Sequence, residues 1–249
     1  MIYICIPAHD EARTIGVLLW KIRKVMAEFQ RDYRIFALDD ASTDGTGETL
    51  DRYTRSLPLR VFHEKTRLGY PGALERLIRE AVKDAAYPKR DVVVTLQADF
   101  TESPEHLIPL IKTLEGGADI VAGCVQVDRA DYPRSMRWTR RAASLLMAGT
   151  FRRSPVSDPV CGFRAYRVIV LKKALRAAGD EKLVSADGWA ANLELLGVVA
   201  PHARRIEETP LDVRFDLRAR ESRFKPVHTF RSLYRVGGRT LWDAVEETQ

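Results

Sequence analysis

Carboxylate and amide side chains stand at the ends of three apolar runs that are typical of buried strands. Asp39 and Asp40 end the run RIFALDD, Gln97 and Asp99 end the run VVVTLQAD, and Glu11 closely follows the run IYICIPA. A buried carboxylate is costly unless it is paired, hydrogen-bonded or bound to a metal ion. Acidic groups at several strand ends therefore indicate that this part of the molecule meets a ligand or cations.

The residues around Asp99 suit a hard divalent cation. Asp99 has Gln97 and Thr101 as oxygen-bearing neighbours, and Mg²⁺ prefers carboxylate, carbonyl and water oxygens. Mg²⁺ in such sites is usually shared between one or two carboxylates and substrate phosphates, which points to a nucleoside diphosphate derivative as substrate. A helix N-cap is the alternative role for Asp99, but Ser103, with Pro104 behind it, already fills that position.

Two further features could contact a nucleotide. Asp39 or Asp40 is placed to accept a hydrogen bond from a base N–H or a ribose hydroxyl. The loop from Arg67 to Gly72, which contains Gly69, could let the backbone approach a nucleotide closely. Helix capping and turn formation are the alternative explanation for the two aspartates.

The elements that would position these groups alternate between strands and helices. Strand-like runs at 2–8, 34–40, 92–99 and 119–127 are separated by stretches with helical spacing, such as the one from Ile15 to Phe29. This alternation predicts an α/β fold with a mostly parallel sheet and helices on both faces. Ligands of such sheets bind beyond the carboxyl ends of the strands, so the acidic strand ends should converge on one edge.

The second half of the chain is expected to complete the same domain, because no repeat or low-complexity linker separates it from the first half. We expect one domain at 1–225, with a nucleotide-binding half at 1–127, an acceptor half at 128–225 and a helical tail at 226–249. The elements predicted after residue 128 are a basic helix at about 134–150, a turn at 154–163, helices near 167–178 and 188–199, and a strand-like segment at 204–215.

The positive charge of the chain is concentrated in two places. The chain has 40 basic and 34 acidic residues, a net charge of +6, and residues 129–153 hold seven arginines against one acid, Asp131. A second basic cluster lies at 214–225. Such clusters attract phosphates, although a solvated helix face is the alternative for any single arginine. They accompany no nucleic-acid-binding motif, so we expect no nucleic-acid partner.

Several classes of protein are excluded. No apolar run approaches the ~18 residues needed to span a bilayer, and the N-terminus lacks the pattern of a signal peptide, so we expect a cytoplasmic protein. The P-loop, the dinucleotide-binding glycine motif, H-E-x-x-H and G-x-S-x-G are all absent from the sequence. The cysteines, which are odd in number and far apart, fit neither a disulfide framework nor a zinc site: Cys5, Cys124 and Cys161.

The motifs resemble those of a known enzyme family. The stretches IPAHDEARTI, LDDASTDGT, RLGYPGA and LQADFTESPE, in this order and spacing, resemble family 2 glycosyltransferases of the GT-A fold. Further on, RRAAS, DPVCGFRAYR, EETPLDV and RARESR resemble the branch that contains dolichol-phosphate and other polyprenyl-phosphate mannosyl- and glucosyltransferases. The resemblance covers residues 2 to 225.

This resemblance implies transfer of a hexose from a nucleotide sugar, of the GDP-mannose or UDP-glucose type, with inversion at the anomeric carbon and with Mg²⁺ or Mn²⁺ as cofactor. It implies that Asp40 contacts the base and that Asp99 holds the metal ion on the diphosphate. The family usually has Asp where this chain has Gln97, so we expect weaker metal binding. The expected donor site comprises Pro7, Ala8, Glu11, Asp39, Asp40, Arg67, Gly69, Gln97, Ala98 and Asp99.

The same resemblance implies a polyprenyl-phosphate acceptor, reached by peripheral contact with the cytoplasmic face of the membrane. Arginines would stabilise negative charge on the leaving diphosphate and on the acceptor, with Arg140 and Arg218 as catalytic candidates. The residues expected to contact the acceptor phosphate, or to close the pocket around it, are Arg140, Ser144, Asp158, Arg164, Arg218 and Arg223.

Two alternatives remain open at this stage. A sugar hydroxyl acceptor would need a carboxylate base, and Asp187 and Glu194, seven residues apart, share one helix face if the helix begins early enough. An N-cap for Asp187 and a surface pair for Glu194 are the alternative roles. The chain could also be a nucleotide-binding protein without catalysis, with Gln97 as the sign of the loss.

Overall fold

The structure, a computed structural model, describes residues 1–125, 153–212 and 226–237, together with positions 138 and 149. Within these residues seven strands form one sheet in the order β3-β2-β1-β4-β6-β5-β7. The strands are β1 (Ile2–Ala8), β2 (Tyr33–Asp40), β3 (Leu59–Glu64), β4 (Val92–Thr95), β5 (Ile120–Val125), β6 (Arg164–Arg167) and β7 (Ile206–Leu211).

Helices cover both faces of this sheet, as the alternating pattern predicts. A 3₁₀ turn, Pro104–His106, precedes the fourth helix, and the Ser103 side chain caps it by accepting from the Glu105 amide at 3.4 Å. The described helices are α1 (Ile15–Phe29), α2 (Thr46–Tyr53), α3 (Gly69–Asp84), α4 (Leu107–Glu115), α5 (Val168–Ala178), α6 (Trp189–Val199) and α7 (Pro226–Gly237).

Strand β6 is the one described strand that runs against the others. It is antiparallel to β4, with Thr95 opposite Arg164, and antiparallel to β5, with Ala122 opposite Arg164. The remaining strand pairs are parallel. The sequence predicts no strand at this place, because four residues with arginine at both ends show little alternation of apolar and polar residues.

Side-chain alternation along the strands divides the core between the two faces. On β1, Ile2, Ile4 and Ile6 pack into the cluster under α1 and α4, whereas Tyr3 and Cys5 point to the other face. The second cluster lies beneath α3, α5 and α6 and also includes two side chains of α7, Leu233 and Val236. The sheet is therefore buried on both faces, as expected for a mostly parallel sheet.

The strands that carry the acidic ends are neighbours. β1 lies between β2 and β4, with Ala8 opposite Asp39 and Cys5 opposite Thr95. β4 ends at Thr95, so the predicted strand 92–99 is too long, and Gln97, Ala98 and Asp99 lie in the loop that follows. None of the helices in the described residues has the length and hydropathy that a membrane-spanning segment needs.

Candidate active site at the carboxyl ends of the strands

Backbone strain marks the edge of the sheet where β1, β2 and β4 end. In the described part of the chain four non-glycine residues have positive φ, and one of them, Gln30, simply ends α1. The other three follow β1, β2 and β4: Asp10 (φ 50°), Ala41 (φ 54°) and Phe100 (φ 61°). Strained residues of this kind cluster at functional sites, so this edge is the candidate active site.

The loops after β1 and β2 are hydrogen-bonded to each other. The Asp10 amide donates to the Ser42 hydroxyl at 3.0 Å, and the Thr43 amide donates back to Asp10 Oδ1 at 2.8 Å. The Ala12 amide donates to Asp44 Oδ2 at 3.0 Å. These reciprocal bonds hold the two loops together as one surface beyond the strand ends.

Glu11, an expected donor residue, is buried within this surface. Its side chain is 6% exposed, and Oε2 accepts from the Thr14 hydroxyl at 3.2 Å. Its amide donates to the Thr46 hydroxyl at 2.8 Å. Ala8 is buried and Pro7 is half-buried at the end of β1. The three expected residues of the β1 end therefore lie together.

Asp39 is held by the loop after it and by a histidine of β3. Its Oδ1 accepts from the Ser42 amide at 3.1 Å, and its Oδ2 lies 3.3 Å from His63 Nδ1. His63 Nε2 lies 3.0 Å from Asp51 Oδ1. Burial lowers the pKa of His63, but the two carboxylates outweigh it and leave the pKa raised above its ordinary value of 6.5.

A close approach by α2 keeps Asp39 in place. A Cβ atom at Gly47 would lie 2.6 Å from Asp39 Oδ2 and 3.4 Å from the His63 ring. Glycine is therefore required there if α2 is to pack against this pair. His63 and Gly47 were not among the expected site residues.

Asp40 organises the glycine-containing loop. Its two carboxylate oxygens accept from the amides of Leu68, at 2.6 Å, and Gly69, at 3.0 Å, at the start of α3. Gly69 has φ 76°, and Arg67 Nε lies 4.0 Å from Asp40 Oδ2. The two aspartates thus have the turn-forming role that the sequence left open. A carboxylate offers about four lone-pair sites, so Asp40 can still accept from a base.

The loop after β4 folds around Asp99. Asp99 is 3% exposed, and its Oδ1 accepts from the amide of Thr101 at 3.1 Å and from the hydroxyl of Thr101 at 2.6 Å. The backbone amide of Gln97 donates to Glu102 Oε2 at 3.2 Å. Glu102 is 3% exposed and was not among the expected site residues. The sequence could have indicated it only as a carboxylate that follows soon after Gln97, Ala98 and Asp99.

The donor set at this loop fits a shared cation rather than a closed metal cage. No group of three or more His, Cys, Asp or Glu side chains suited to a metal ion occurs in the residues that the structure describes. Asp99 offers one carboxylate, and the side-chain amide of Gln97, two residues earlier, could offer a neutral oxygen. A hard cation bound here would need phosphate and water oxygens to complete its shell, as Mg²⁺ often does.

The turn before β6 lies beside the end of β4, on the side away from β1. The Thr95 hydroxyl donates to the Gly162 carbonyl at 2.5 Å. The Asn192 amide group of α6 donates to the Val160 carbonyl at 3.1 Å and accepts from the Tyr70 hydroxyl at 2.8 Å. Asp158, which is 4% exposed, begins this turn. Helices α3 and α6 and the 158–162 turn are therefore joined around Asn192.

Arg164, the first residue of β6, is hydrogen-bonded to the same turn. Its side chain is fully buried and donates to the carbonyls of Asn192 and Pro159, each at 2.6 Å. Burial, then the charges of Asp158 and Glu102, raise the pKa of the Cys161 thiol, while the Arg164 charge lowers it. The charges of Asp158, Glu102 and Arg164 therefore all act on the buried Cys161 thiol. Because Arg164 is fully buried, direct contact between its side chain and an acceptor phosphate would require the turn to move.

The two candidate base residues do not share a helix face. Helix α6 begins at Trp189, after Gly188, so Asp187 precedes it and the condition for a shared face is not met. Asp187 is exposed, whereas Glu194 is 6% exposed and accepts from the Ser185 amide, the Ser185 hydroxyl and the Ala186 amide at 2.7–2.9 Å. Because Glu194 is buried, it is not part of an ion pair on the surface. In this arrangement its carboxylate oxygens are occupied by the loop, so they do not face a substrate hydroxyl as a general base would.

Four expected site residues lie outside the described residues, as do most of the first basic cluster and the whole of the second: Arg140, Ser144, Arg218 and Arg223.

Comparison with known proteins decides the family. The family model described as "Glycosyl transferase family 2" matches residues 3–175, which contain the loops after β1, β2 and β4 as well as β6. The chain belongs to glycosyl transferase family 2. It is a glycosyltransferase, and the resemblance drawn from its motifs is confirmed.

Relatives of this family 2 glycosyltransferase fall in the expected branch. The chain is 28% identical over 213 residues to the undecaprenyl-phosphate mannosyltransferase of Micrococcus luteus, a match covering 83% of this chain and 80% of the relative. It is 30% identical over 175 residues to the undecaprenyl-phosphate 4-deoxy-4-formamido-L-arabinose transferase of Edwardsiella ictaluri, covering 69% of this chain and half of that relative.

Solved structures confirm the GT-A fold of this glycosyltransferase. The glucosyl-3-phosphoglycerate synthase of Mycobacterium tuberculosis, in complex with Mn²⁺, UDP-glucose and phosphoglyceric acid, superimposes with a TM-score of 0.66 at 18% identity. The match covers 96% of this chain and 80% of the synthase. At this identity the likeness establishes the fold alone, and Mn²⁺ and UDP-glucose are ligands of the synthase.

Proposed function

We propose that this glycosyltransferase moves a hexose from a nucleotide sugar to a polyprenyl phosphate, with inversion at the anomeric carbon. The observation that carries the proposal is that Glu11, Asp39, Asp40 and Asp99 lie at or just beyond the carboxyl ends of three adjacent strands. The two undecaprenyl-phosphate transferases among its relatives support the lipid acceptor.

The order of the strands suits an extended nucleotide sugar. Asp39 and Asp40 end β2, and Asp99 follows β4, two strands away in the sheet. Neighbouring strands are about 4.8 Å apart, so roughly 10 Å separates the two groups across the sheet. The base would lie against Asp40 and the Arg67–Gly69 loop, the ribose near Asp39 and Glu11, with Pro7 and Ala8 beneath them. The diphosphate would lie beside Gln97, Ala98 and Asp99.

Asp99 would hold Mg²⁺ or Mn²⁺ against the diphosphate, with Gln97 as a neutral neighbour. A bound divalent cation supplies positive charge to the leaving diphosphate. The contribution of the protein is to aim the Asp99 carboxylate, which Thr101 fixes through its amide and hydroxyl. This fixed geometry costs no reorganisation when the sugar–phosphate bond breaks.

The acceptor needs little chemistry from the protein. A phosphate monoester is largely ionised near pH 7, so it requires positioning rather than a general base. This agrees with Glu194 being occupied by backbone donors. Attack from the face opposite the leaving diphosphate inverts the anomeric centre. Arg140, Ser144, Arg218 and Arg223 would bind the phosphates, and the 158–162 turn, with Asp158 and held by Arg164, would close the pocket.

We place this enzyme at the cytoplasmic face of the membrane, in peripheral contact with it, because that is where a polyprenyl phosphate and a nucleotide sugar can meet. The two basic clusters, at 129–153 and 214–225, favour an anionic surface. We retain the division into a nucleotide-binding half at 1–127, an acceptor half at 128–225 and a tail at 226–249 as part of this proposal.

A transfer assay tests the proposal. The protein would be incubated with Mn²⁺, farnesyl phosphate or a longer polyprenyl phosphate, and GDP-mannose or UDP-glucose in turn. The expected result is a prenyl-linked sugar of inverted anomeric configuration with one donor, and loss of the product when EDTA is added. Turnover with soluble sugars but not with prenyl phosphates would refute the lipid acceptor, and nucleotide binding without any turnover would favour the non-catalytic alternative.

A further inference from the structure

Two buried carboxylates accept hydrogen bonds from the backbone of the loop that joins α5 to α6. Glu75 of α3 is 8% exposed, and its Oε2 accepts from the amides of Leu183 and Val184 at 3.0 and 3.3 Å. Glu194 of α6 accepts from the next two amides, those of Ser185 and Ala186, at 2.7 and 2.8 Å. Four consecutive backbone donors are thus bound by carboxylates of two different helices. We call this arrangement the carboxylate clamp.

The clamped loop leads toward the edge of the sheet where the candidate active site lies. β6 runs away from that edge, and α5 begins at the opposite edge, where the Val168 amide donates to the carbonyl of Asp91, just before β4. The 11 residues of α5 then rise about 16 Å back toward the site. The loop at 179–188 first contacts the middle of α3, where Arg79 Nη2 donates to the Glu181 carbonyl at 3.2 Å. It ends at α6, where Asn192 contacts Tyr70 at the start of α3.

The position of this loop across the sheet favours the acceptor over the donor. Asn192, one turn into α6, contacts the 158–162 turn, which lies beside the end of β4. The expected nucleotide residues lie on the other side, at β1 and β2. The exposed Asp187 sits between the clamp and Gly188, whose φ of 59° favours glycine. The clamp and this glycine together determine where Asp187 lies.

The length of the loop, and the buried carboxylates that bind its amides, indicate that its position is important. A helix–helix connection commonly takes about 2–8 residues, and this one spans 179–188 without regular secondary structure. Buried carboxylates are costly compared with the local turns that usually satisfy loop amides. Glu75 is further fixed by Arg79, whose Nε donates to Oε1 at 2.8 Å.

We propose that Glu75 and Glu194 are positioning residues for acceptor binding: they hold the 183–188 loop as the wall of the acceptor site, and neither touches the reacting atoms. The inference rests on the proposed function, because it takes the prenyl phosphate as the molecule that meets this wall. It gives Glu194 a role other than that of a general base, and it gives a role to Glu75, which no motif indicates.

Methionine substitutions test the clamp. Glu194→Met and Glu75→Met keep most of the length of the side chain but remove both oxygens, including Oε2, which accepts from two loop amides in each case. We expect each variant to raise the KM and the Kd for farnesyl phosphate at least tenfold, while the Kd for the nucleoside diphosphate with Mn²⁺ stays within twofold. Amides 183–186 should exchange hydrogen faster in both variants.

Glu80→Met is the matched control, since Glu80 also lies on α3 and pairs with an arginine four residues away, Arg76, at 3.6 Å. It should leave both affinities unchanged. The inference is overturned if the two clamp variants bind farnesyl phosphate as the unmodified protein does, or if donor and acceptor affinities fall equally with the melting temperature. It also falls if the unmodified protein binds no prenyl phosphate at all.

The two proposals fail in different ways. If the unmodified protein gives no transfer in any assay, the proposed function fails. If it transfers normally and the clamp variants show no selective loss of acceptor binding, only the role of the clamp is refuted.

Discussion

At the scale of single residues, the acidic groups of the site are held in place before any ligand arrives. Asp39, Asp40 and Asp99 each accept hydrogen bonds from the backbone amides of the loops around them. Such bonds fix the direction in which each carboxylate points. The site can therefore meet a nucleotide and a cation without rearranging its carboxylates.

Gln97→Asp should strengthen metal binding. The substitution adds a second anionic oxygen ligand near Asp99, and the charge of the ligands tunes the affinity of oxygen sites for divalent ions. We expect the Mn²⁺ concentration for half-maximal activity to fall by about three- to tenfold, measured by titrating Mn²⁺ in the transfer assay.

Ser56→Asp is the control for this substitution. Ser56 is exposed near the start of β3, at the opposite edge of the sheet, and the variant adds the same charge there. An equal response to Mn²⁺ in both variants would show that net charge, rather than a ligand at position 97, sets the metal affinity.

His63 should make stability depend on pH. Its pKa in the folded protein is raised above 6.5 by Asp51 and Asp39, against the effect of burial. Its stabilising contribution is therefore fully present below about pH 6.5 and is lost as the pH rises through the folded-state pKa. In His63→Gln the melting temperature should fall mainly at low pH, measured between pH 5.5 and 8.5.

His202→Gln provides a control of opposite sign. Burial, together with Lys173, lowers the pKa of His202, so this histidine destabilises the fold as the pH falls. Its replacement should raise the melting temperature at low pH. Parallel pH profiles for the unmodified protein and His63→Gln would contradict the account of the Asp39–His63–Asp51 contact.

At the scale of elements, the short strand β6 is the part that the sequence does not reveal. It lies between β4 and β5 and brings the Arg164 side chain to the carbonyl of Pro159 in the 158–162 turn. Its four residues carry too little periodicity to separate a strand from the turn before it. The long elements were predictable, because α1 and β2 have the apolar spacing of a buried helix and a buried strand.

Arg164→Met should destabilise the fold strongly. The buried guanidinium donates to two carbonyls and lies near the charges of Asp158 and Glu102. Removing one member of a buried charged group costs about 3–5 kcal/mol, since its partners remain buried without it. Urea unfolding would measure the loss.

Arg176→Met, at an exposed position of α5, is the comparison for this substitution. Its effect should stay within about 0.5 kcal/mol. A similarly small loss for Arg164→Met would show that the carbonyls and carboxylates around Arg164 can be satisfied without it.

The hydrogen bonds of the site also lie beyond what the sequence predicts. The sequence indicates that Asp40 and Asp99 stand at strand ends, because apolar runs stop there. It does not indicate that Asp40 binds the start of α3 or that Glu194 binds the loop before α6, since these contacts join segments that packing alone brings together. For the same reason the sequence allowed Asp187 and Glu194 one helix face, which the start of α6 at Trp189 prevents.

At the scale of the whole molecule, the order of strands gives each part of the proposed reaction its own place. In that proposal the β2 end binds the base, the β4 end the diphosphate, and the turn before β6 the acceptor. The net charge of +6 contrasts with this acidic edge, and the excess lies in two arginine-rich segments.

The most direct test is calorimetric titration of UDP and GDP into the unmodified protein and Asp99→Asn, with and without Mn²⁺. Asn keeps an oxygen that can accept from Thr101, so the loop should stay folded. We predict that Mn²⁺ tightens binding of one nucleotide at least tenfold in the unmodified protein and has no effect in Asp99→Asn, with similar melting temperatures. Equal enhancement by Mn²⁺ in both proteins would contradict the claim that Asp99 holds the cation on the diphosphate.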